Sequence, residues 1–183
     1  MKTTKKLALA ALLSALGVII LALGSFIEVL DLSAAMFAGF VVVVAVIELG
    51  KYYPVLMYFV ISILSVLLLP NKYPALFFIF FGGFYPIFKA YAERFHYIIA
   101  WTVKFSMFNI FFACLILAAN ILSERGFLPP VESNNLYEFL WNFKFIVFAV
   151  ANFVYLLYDI AMTNIVNLYL VKIRKLIGLK NYF

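Results

Sequence analysis

The chain has 183 residues, of which 68% are hydrophobic and only 12% are charged. Soluble domains are about half apolar and about a quarter charged, so this composition excludes a water-soluble fold and predicts that a lipid bilayer surrounds the protein. The net charge of +6 does not indicate a nucleic-acid partner, because the basic residues lie at the ends of apolar segments and form no continuous stripe.

The apolar segments predict an all-α fold, a single membrane domain of six transmembrane helices that takes in the whole chain. One helix needs about 20 apolar residues to cross a bilayer, so the length allows about six. The first segment exceeds the apolar core of a secretory leader, which has about 7 to 15 residues, and we therefore interpret it as a span. The predicted spans are 7–30, 34–47, 52–69, 75–88, 97–122 and 141–171.

The fourth predicted span, 75–88, differs from the others in its helix-weakening residues. It is short and contains Gly82, Gly83 and Pro86. Such residues are tolerated in a membrane helix when neighbouring helices satisfy the freed backbone groups, so we expect this span to be buried among the others. The first two spans are separated by the polar residues 31–33.

The lysine and arginine residues outside the spans or near their ends predict the orientation of the chain. Ten of them, including Lys89, lie on the side that carries both termini, and three lie on the opposite side, while Lys104 falls inside the fifth span. Basic residues accumulate on the cytoplasmic side of a membrane, so both termini are predicted to be cytoplasmic.

The reactive side chains give little support for an enzyme. His96 is the only histidine, Cys114 is the only cysteine, and Asp159 is the only aspartate inside a predicted span. A zinc site of the His-Glu-x-x-His type needs two histidines, and intramembrane hydrolysis by paired aspartates needs two buried acids. We therefore expect neither catalysis nor a metal or other cofactor.

Lys104 and Asp159 are charged residues inside predicted spans, where an ionisable group usually faces a cavity or a partner. Their depths allow them to meet across the bundle, although helical side chains lean toward the N-terminus and these two would lean apart. Three interpretations remain open. The residues form a structural salt bridge, Lys104 extends toward Glu48, or the two contribute to ligand binding or gating.

Asn109 and Asn152 also lie within predicted spans, and Tyr155 and Asp159 share a helical face with Asn152. This stripe is a candidate substrate-binding surface. Hydrogen bonds between helices would account for both asparagines equally well. Glu28, at the far end of the first span, is a weaker candidate for the same site, and its alternative role is that of an exposed helix end.

Residues 4–16 consist of a threonine, a lysine pair and an Ala-rich apolar stretch, and they resemble the first helix of substrate-binding S components of energy-coupling factor transporters. In that family an Ala-x-x-x-Ala motif on the first helix docks on the transmembrane partner, and Ala11 and Ala15 match it. The resemblance implies a six-helix subunit in the plasma membrane of a bacterial or archaeal cell. It also implies that this subunit captures a vitamin or similar micronutrient and works with a transmembrane coupling subunit and two cytoplasmic ATPases.

The same resemblance implies that loops after the first, third and fifth spans cover the substrate. Residues 123–140, the longest polar segment, are a candidate lid or a plain connection. The chain shows none of the ligand motifs of the riboflavin, thiamin or biotin members, so the substrate is not specified. Two alternatives remain: a scaffold that transports nothing, such as the small cell-wall elongation membrane protein of rod-shaped bacteria, and a small membrane-embedded enzyme.

Overall fold

The computed structural model describes residues 3–94, 96–124 and 144–173, and these ranges are helical throughout apart from short turns. The α-helices are α1 (Thr3–Ser25), α2 (Asp31–Leu49), α3 (Tyr52–Leu68), α4 (Tyr73–Phe77), α5 (Phe84–Ala92), α6 (Tyr97–Glu124) and α7 (Lys144–Leu168). The other helical turns are a 3-10 turn at Glu28–Leu30 and π-helical turns at Phe78–Gly82 and Tyr169–Ile173.

The helices of the described residues have the length and composition of a membrane bundle. Five apolar helical segments are long enough to cross a bilayer, and one of them is Tyr73–Ala92, which joins α4, the π turn and α5. We call this segment the broken span. The sixth apolar helix, α3, has 17 residues and is shorter than each of these five segments. The all-α multi-span fold is thus as predicted, while the cytoplasmic position of the termini stays a prediction.

Helix α2 is the centre of the bundle and packs against α1, α3 and the broken span. Its Ala38 and Val42 are completely buried together with Leu21 of α1, Ile61 of α3 and Phe78 of the broken span. Gly17 allows α1 to lie close to α3 in this core, because a Cβ at that position would overlap the Ile61 side chain. Small residues at such contacts let membrane helices approach closely and gain van der Waals energy.

The boundary between the first two helices differs from the sequence prediction. Helix α1 ends at Ser25 instead of residue 30, and α2 begins at Asp31 instead of residue 34. Gly24 lies so close to Ala34 that a Cβ there would collide with it, so glycine permits the tight turn between the two helices. Asp31 belongs to the first helical turn, where a carboxylate is favoured by the helix dipole, and it accepts hydrogen bonds from the Asn71 side chain at 3.1 and 3.3 Å.

The contact between Asp31 and Asn71 joins two turns at one end of the bundle, which we call the Asn71 end. At the opposite end, Lys51 lies 5.3 Å from the centre of the Tyr91 ring, and we call this the Lys51 end. The predicted orientation would place the Asn71 end outside the cell. Most of the candidate lid, and the predicted start of the last span at residue 141, lie outside the described residues.

The broken span extends beyond the predicted 75–88 at both ends. Pro86 lies in the first turn of α5, where its missing N–H breaks no regular helical hydrogen bond. The π turn precedes it and ends at Gly82, which touches the backbone of α2 at Ala35 and Gly39. In this span 56% of the most apolar stretch is buried, the largest share among the five long spans.

Gly82 should tolerate no side chain, because a Cβ there would collide with the Ala35 carbonyl group. We expect Gly82→Ala to lower the thermal unfolding midpoint in detergent and Gly82→Val to lower it further, since overpacking costs about 1–3 kcal/mol. Scanning fluorimetry of the purified variants measures the effect. An unchanged midpoint for Gly82→Val would contradict the close approach of the two segments.

Candidate functional site

A group of charged and polar side chains surrounds Asp159 of α7 inside the bundle. Lys104 of α6 lies 3.3 Å from the Asp159 Oδ1 atom. Lys89 and Tyr85 of α5 donate hydrogen bonds to the same oxygen. The side chains of Lys89, Lys104 and Asp159 are only 5–6% exposed. Three membrane segments therefore meet at one buried carboxylate.

Glu93 completes this group at the Lys51 end. Its Oε1 atom lies 2.9 Å from Lys89 Nζ and 3.2 Å from Lys104 Nζ, and its side chain is 48% exposed. Two ammonium groups thus face two carboxylates, so the charges balance. We call Tyr85, Lys89, Glu93, Lys104 and Asp159 the Asp159 cluster. A buried charge is costly to desolvate, and attraction between the opposite charges in this group offsets that cost.

The sequence predicts Lys89 to lie in a cytoplasmic segment, whereas the structure buries it within α5. Without it the charge count is nine against three and favours the same orientation. The spacing of Tyr85, Lys89 and Glu93 at four-residue intervals places them on one helical face and is the sequence signal for this cluster. Lys104 extends toward Asp159 and not toward Glu48, which accepts a hydrogen bond from Tyr169 at 3.3 Å.

Aromatic rings cover the cluster on the side facing the Asn71 end. The Tyr155 ring is 1% exposed and stacks on Phe108 with a centroid distance of 4.3 Å. Its hydroxyl donates to the Tyr85 hydroxyl at 3.4 Å. Phe81 packs nearby, with its ring centroid 4.7 Å from that of Tyr158. These rings separate the charged groups from the space above them.

That space is a cavity of about 610 Å³ between α2, the broken span, α6 and α7. It lies toward the Asn71 end, and Tyr155 contributes to its floor. Among the described residues that line it, seven are aromatic and the others are aliphatic or methionine. They are Leu32, Met36, Phe77, Phe80, Phe81, Phe108, Phe111, Phe112, Leu115, Ile146, Val147, Val150, Ala151, Val154 and Tyr155.

Asn109 and Asn152 bind each other instead of facing the cavity. The Asn152 side-chain amide donates to Asn109 Oδ1 at 3.1 Å and joins α6 to α7. Each amide also donates to a backbone carbonyl one turn earlier in its own helix, at 2.9 Å. Neither residue is among those that line the cavity. Of the predicted substrate-binding residues whose side chains the structure describes, Tyr155 alone lines the cavity.

The remaining predicted residues lie away from this region. Glu28 belongs to the 3-10 turn at the Asn71 end, and its side chain is outside what the structure describes. Ala11 and Ala15 are exposed on α1, whereas the neighbouring Ser14 and Gly17 are buried. Within the described ranges, no three His, Cys, Asp or Glu side chains lie close enough together to hold a metal ion.

No protein-family model matches the chain, and neither a curated protein nor a solved structure matches it significantly.

Replacing the central carboxylate should destabilise the bundle. Asp159→Asn leaves two buried ammonium groups with one half-exposed carboxylate, and breaking a buried pair costs about 3–5 kcal/mol. We expect a clear fall in the thermal unfolding midpoint in detergent. Glu93→Gln makes the same chemical change at a half-exposed position and should have a smaller effect. Equal effects of the two variants would show that Asp159 is not the centre of the cluster.

Proposed function

We propose that the chain is a membrane-embedded substrate-binding subunit that holds a small molecule in the aromatic cavity. The observation that carries the proposal is the cavity of about 610 Å³ among four membrane segments. Small-molecule sites commonly have volumes of about 300–1,000 Å³, are mostly apolar and often lie between the helices of a bundle. If the termini are cytoplasmic, the cavity lies in the outer half of the bundle.

The proposal gives the chain no chemical step. The charged groups nearest the cavity are bonded to one another: Lys89 and Lys104 contact Asp159 and Glu93. A nucleophile or general acid needs access to the substrate, whereas these groups lie behind the Phe81 and Tyr155 rings. Their role in the proposal is to fix the position of the segments that form the cavity.

Uptake would require partners, as the resemblance of the first helix implies: a transmembrane coupling subunit and two cytoplasmic ATPases. Ala11 and Ala15 support a docking role, because their small side chains are exposed on α1 and leave its backbone accessible to another helix. Release of the substrate, a vitamin or similar micronutrient in that family, would follow from a difference in partner contacts between the loaded and empty states.

A second candidate is a membrane scaffold that binds only proteins. The observation that favours it is the internal pairing of the polar residues, with Asn109 bonded to Asn152 and Lys104 bonded to Asp159. In this alternative the cavity would be filled by lipid, and no small molecule would be retained specifically.

Filling the cavity distinguishes the two candidates. Ala151 lines the cavity, whereas Ala149, two residues earlier on α7, is exposed and does not line it. We expect native mass spectrometry of protein purified from its own membranes to detect a retained small molecule in the wild type and in Ala149→Phe. In Ala151→Phe the occupancy should be at least tenfold lower. Equal spectra for the three proteins, with no bound molecule other than lipid, would support the scaffold.

Docking through α1 has its own test. We expect Ala15→Leu to weaken co-purification with membrane and ATPase subunits, because the larger side chain keeps the partner helix at a distance. Ala113→Leu makes the same change at an exposed position of α6 and serves as the control. Ligand occupancy should be unchanged in both variants. Equal co-purification of Ala15→Leu and Ala113→Leu would exclude Ala15 from the docking surface.

A further inference from the structure

The walls of the cavity restrict the chemistry of its ligand. Among the described residues that line it, Tyr155 alone has an oxygen or nitrogen atom in its side chain. Its hydroxyl is directed toward the Asp159 cluster and donates to Tyr85 at 3.4 Å. A hydroxyl, amide or charged group of a ligand in this space would therefore lose its hydration without gaining a partner from the described walls.

The lysines of the cluster do not provide a site for an acidic ligand group. A second, much smaller space of about 10 Å³ lies between the cavity rings Phe81 and Phe108 and the side chain of Lys104. This is about the room that one water molecule needs, and a carboxylate or phosphate group is larger. Lys104 is moreover already paired with Asp159 and Glu93.

The aromatic rings indicate what the cavity does accept. Seven of the fifteen described lining residues are Phe or Tyr, contributed by the broken span, α6 and α7. A bilayer offers an apolar molecule an equally apolar environment, so burial alone does not draw it from lipid into the protein. Stacked and edge-to-face contacts with aromatic rings do provide selectivity, and they are strongest for flat unsaturated molecules.

From these walls we propose that the ligand is an uncharged, lipid-soluble molecule with a planar unsaturated body, such as a polyene or a fused aromatic ring system. This inference rests on the proposed function, since it specifies the substrate class of the same cavity. It departs from the polar, water-soluble vitamins that the sequence resemblance suggests.

The test uses the full chain in lipid nanodiscs and four probes. Diphenylhexatriene is planar, unsaturated and uncharged; hexadecane is apolar but saturated; riboflavin is planar but carries several hydroxyl groups; thiamin is charged. Retention of each probe at one molecule per chain is measured by native mass spectrometry after release from the nanodisc. Ala151→Phe fills the cavity and Ala149→Phe is its control. If circular dichroism shows that Ala151→Phe is not helical, Val154→Trp, a second substitution at the cavity wall, replaces it.

We expect wild type and Ala149→Phe to retain diphenylhexatriene at least tenfold more than hexadecane, riboflavin or thiamin. In Ala151→Phe the retention of diphenylhexatriene should be at least tenfold lower than in the wild type. Retention of riboflavin or thiamin that depends on Ala151 would overturn the ligand class and leave the proposed function standing. Equal retention of hexadecane would show a site for saturated chains and would also overturn the ligand class. If filling the cavity reduced the retention of none of the four probes, that result would contradict the proposed function itself.

Discussion

The carboxylate of Asp159 joins three membrane segments by charge and hydrogen bonding. Tyr85 and Lys89 reach it from α5 and Lys104 from α6, while α7 carries it. Helices α6 and α7 are the least buried of the five long spans, with 17% and 22% of their most apolar stretches inside the protein. Lipid provides no hydrophobic force between helices, so apolar contact alone holds these two weakly. The buried carboxylate therefore decides how far they stand from the broken span.

The cavity lies where the broken span departs from regular helix geometry. Phe80 and Phe81 belong to the π turn that ends at Gly82, and both line the cavity. A π turn has one more residue per hydrogen-bonded ring than an α-helix, and such turns often mark functional sites. Gly82 brings this segment against α2, and the rings of the π turn line the space that α6 and α7 leave open. Phe108 and Tyr155, stacked on each other, close that space from below.

Hydropathy and proline positions predict the helices and the irregular fourth span, because a long apolar run has only one way to satisfy its backbone in lipid. Their ends are less predictable, since composition does not mark a tight turn inside an apolar stretch such as the one that Gly24 permits beside Ala34. Lys104 and Asp159 are identifiable because a charge in a span needs a partner. For Lys89 the sequence signal is only its four-residue spacing from Tyr85 and Glu93, because its depth in the bundle depends on where α5 ends. The cavity is also unpredictable, since helices that are apolar all round carry no pattern separating rings that face lipid from rings that face a neighbour.

The charge balance of the Asp159 cluster also bears on the electric field across a membrane. Lys89 and Lys104 together carry the same amount of charge as Glu93 and Asp159, with the opposite sign. Moving one uncompensated elementary charge across a potential of 100 mV requires about 2.3 kcal/mol. A shift along the membrane normal that keeps this cluster together transfers no net charge from it. The membrane potential would therefore do no net work on these four charges in such a shift.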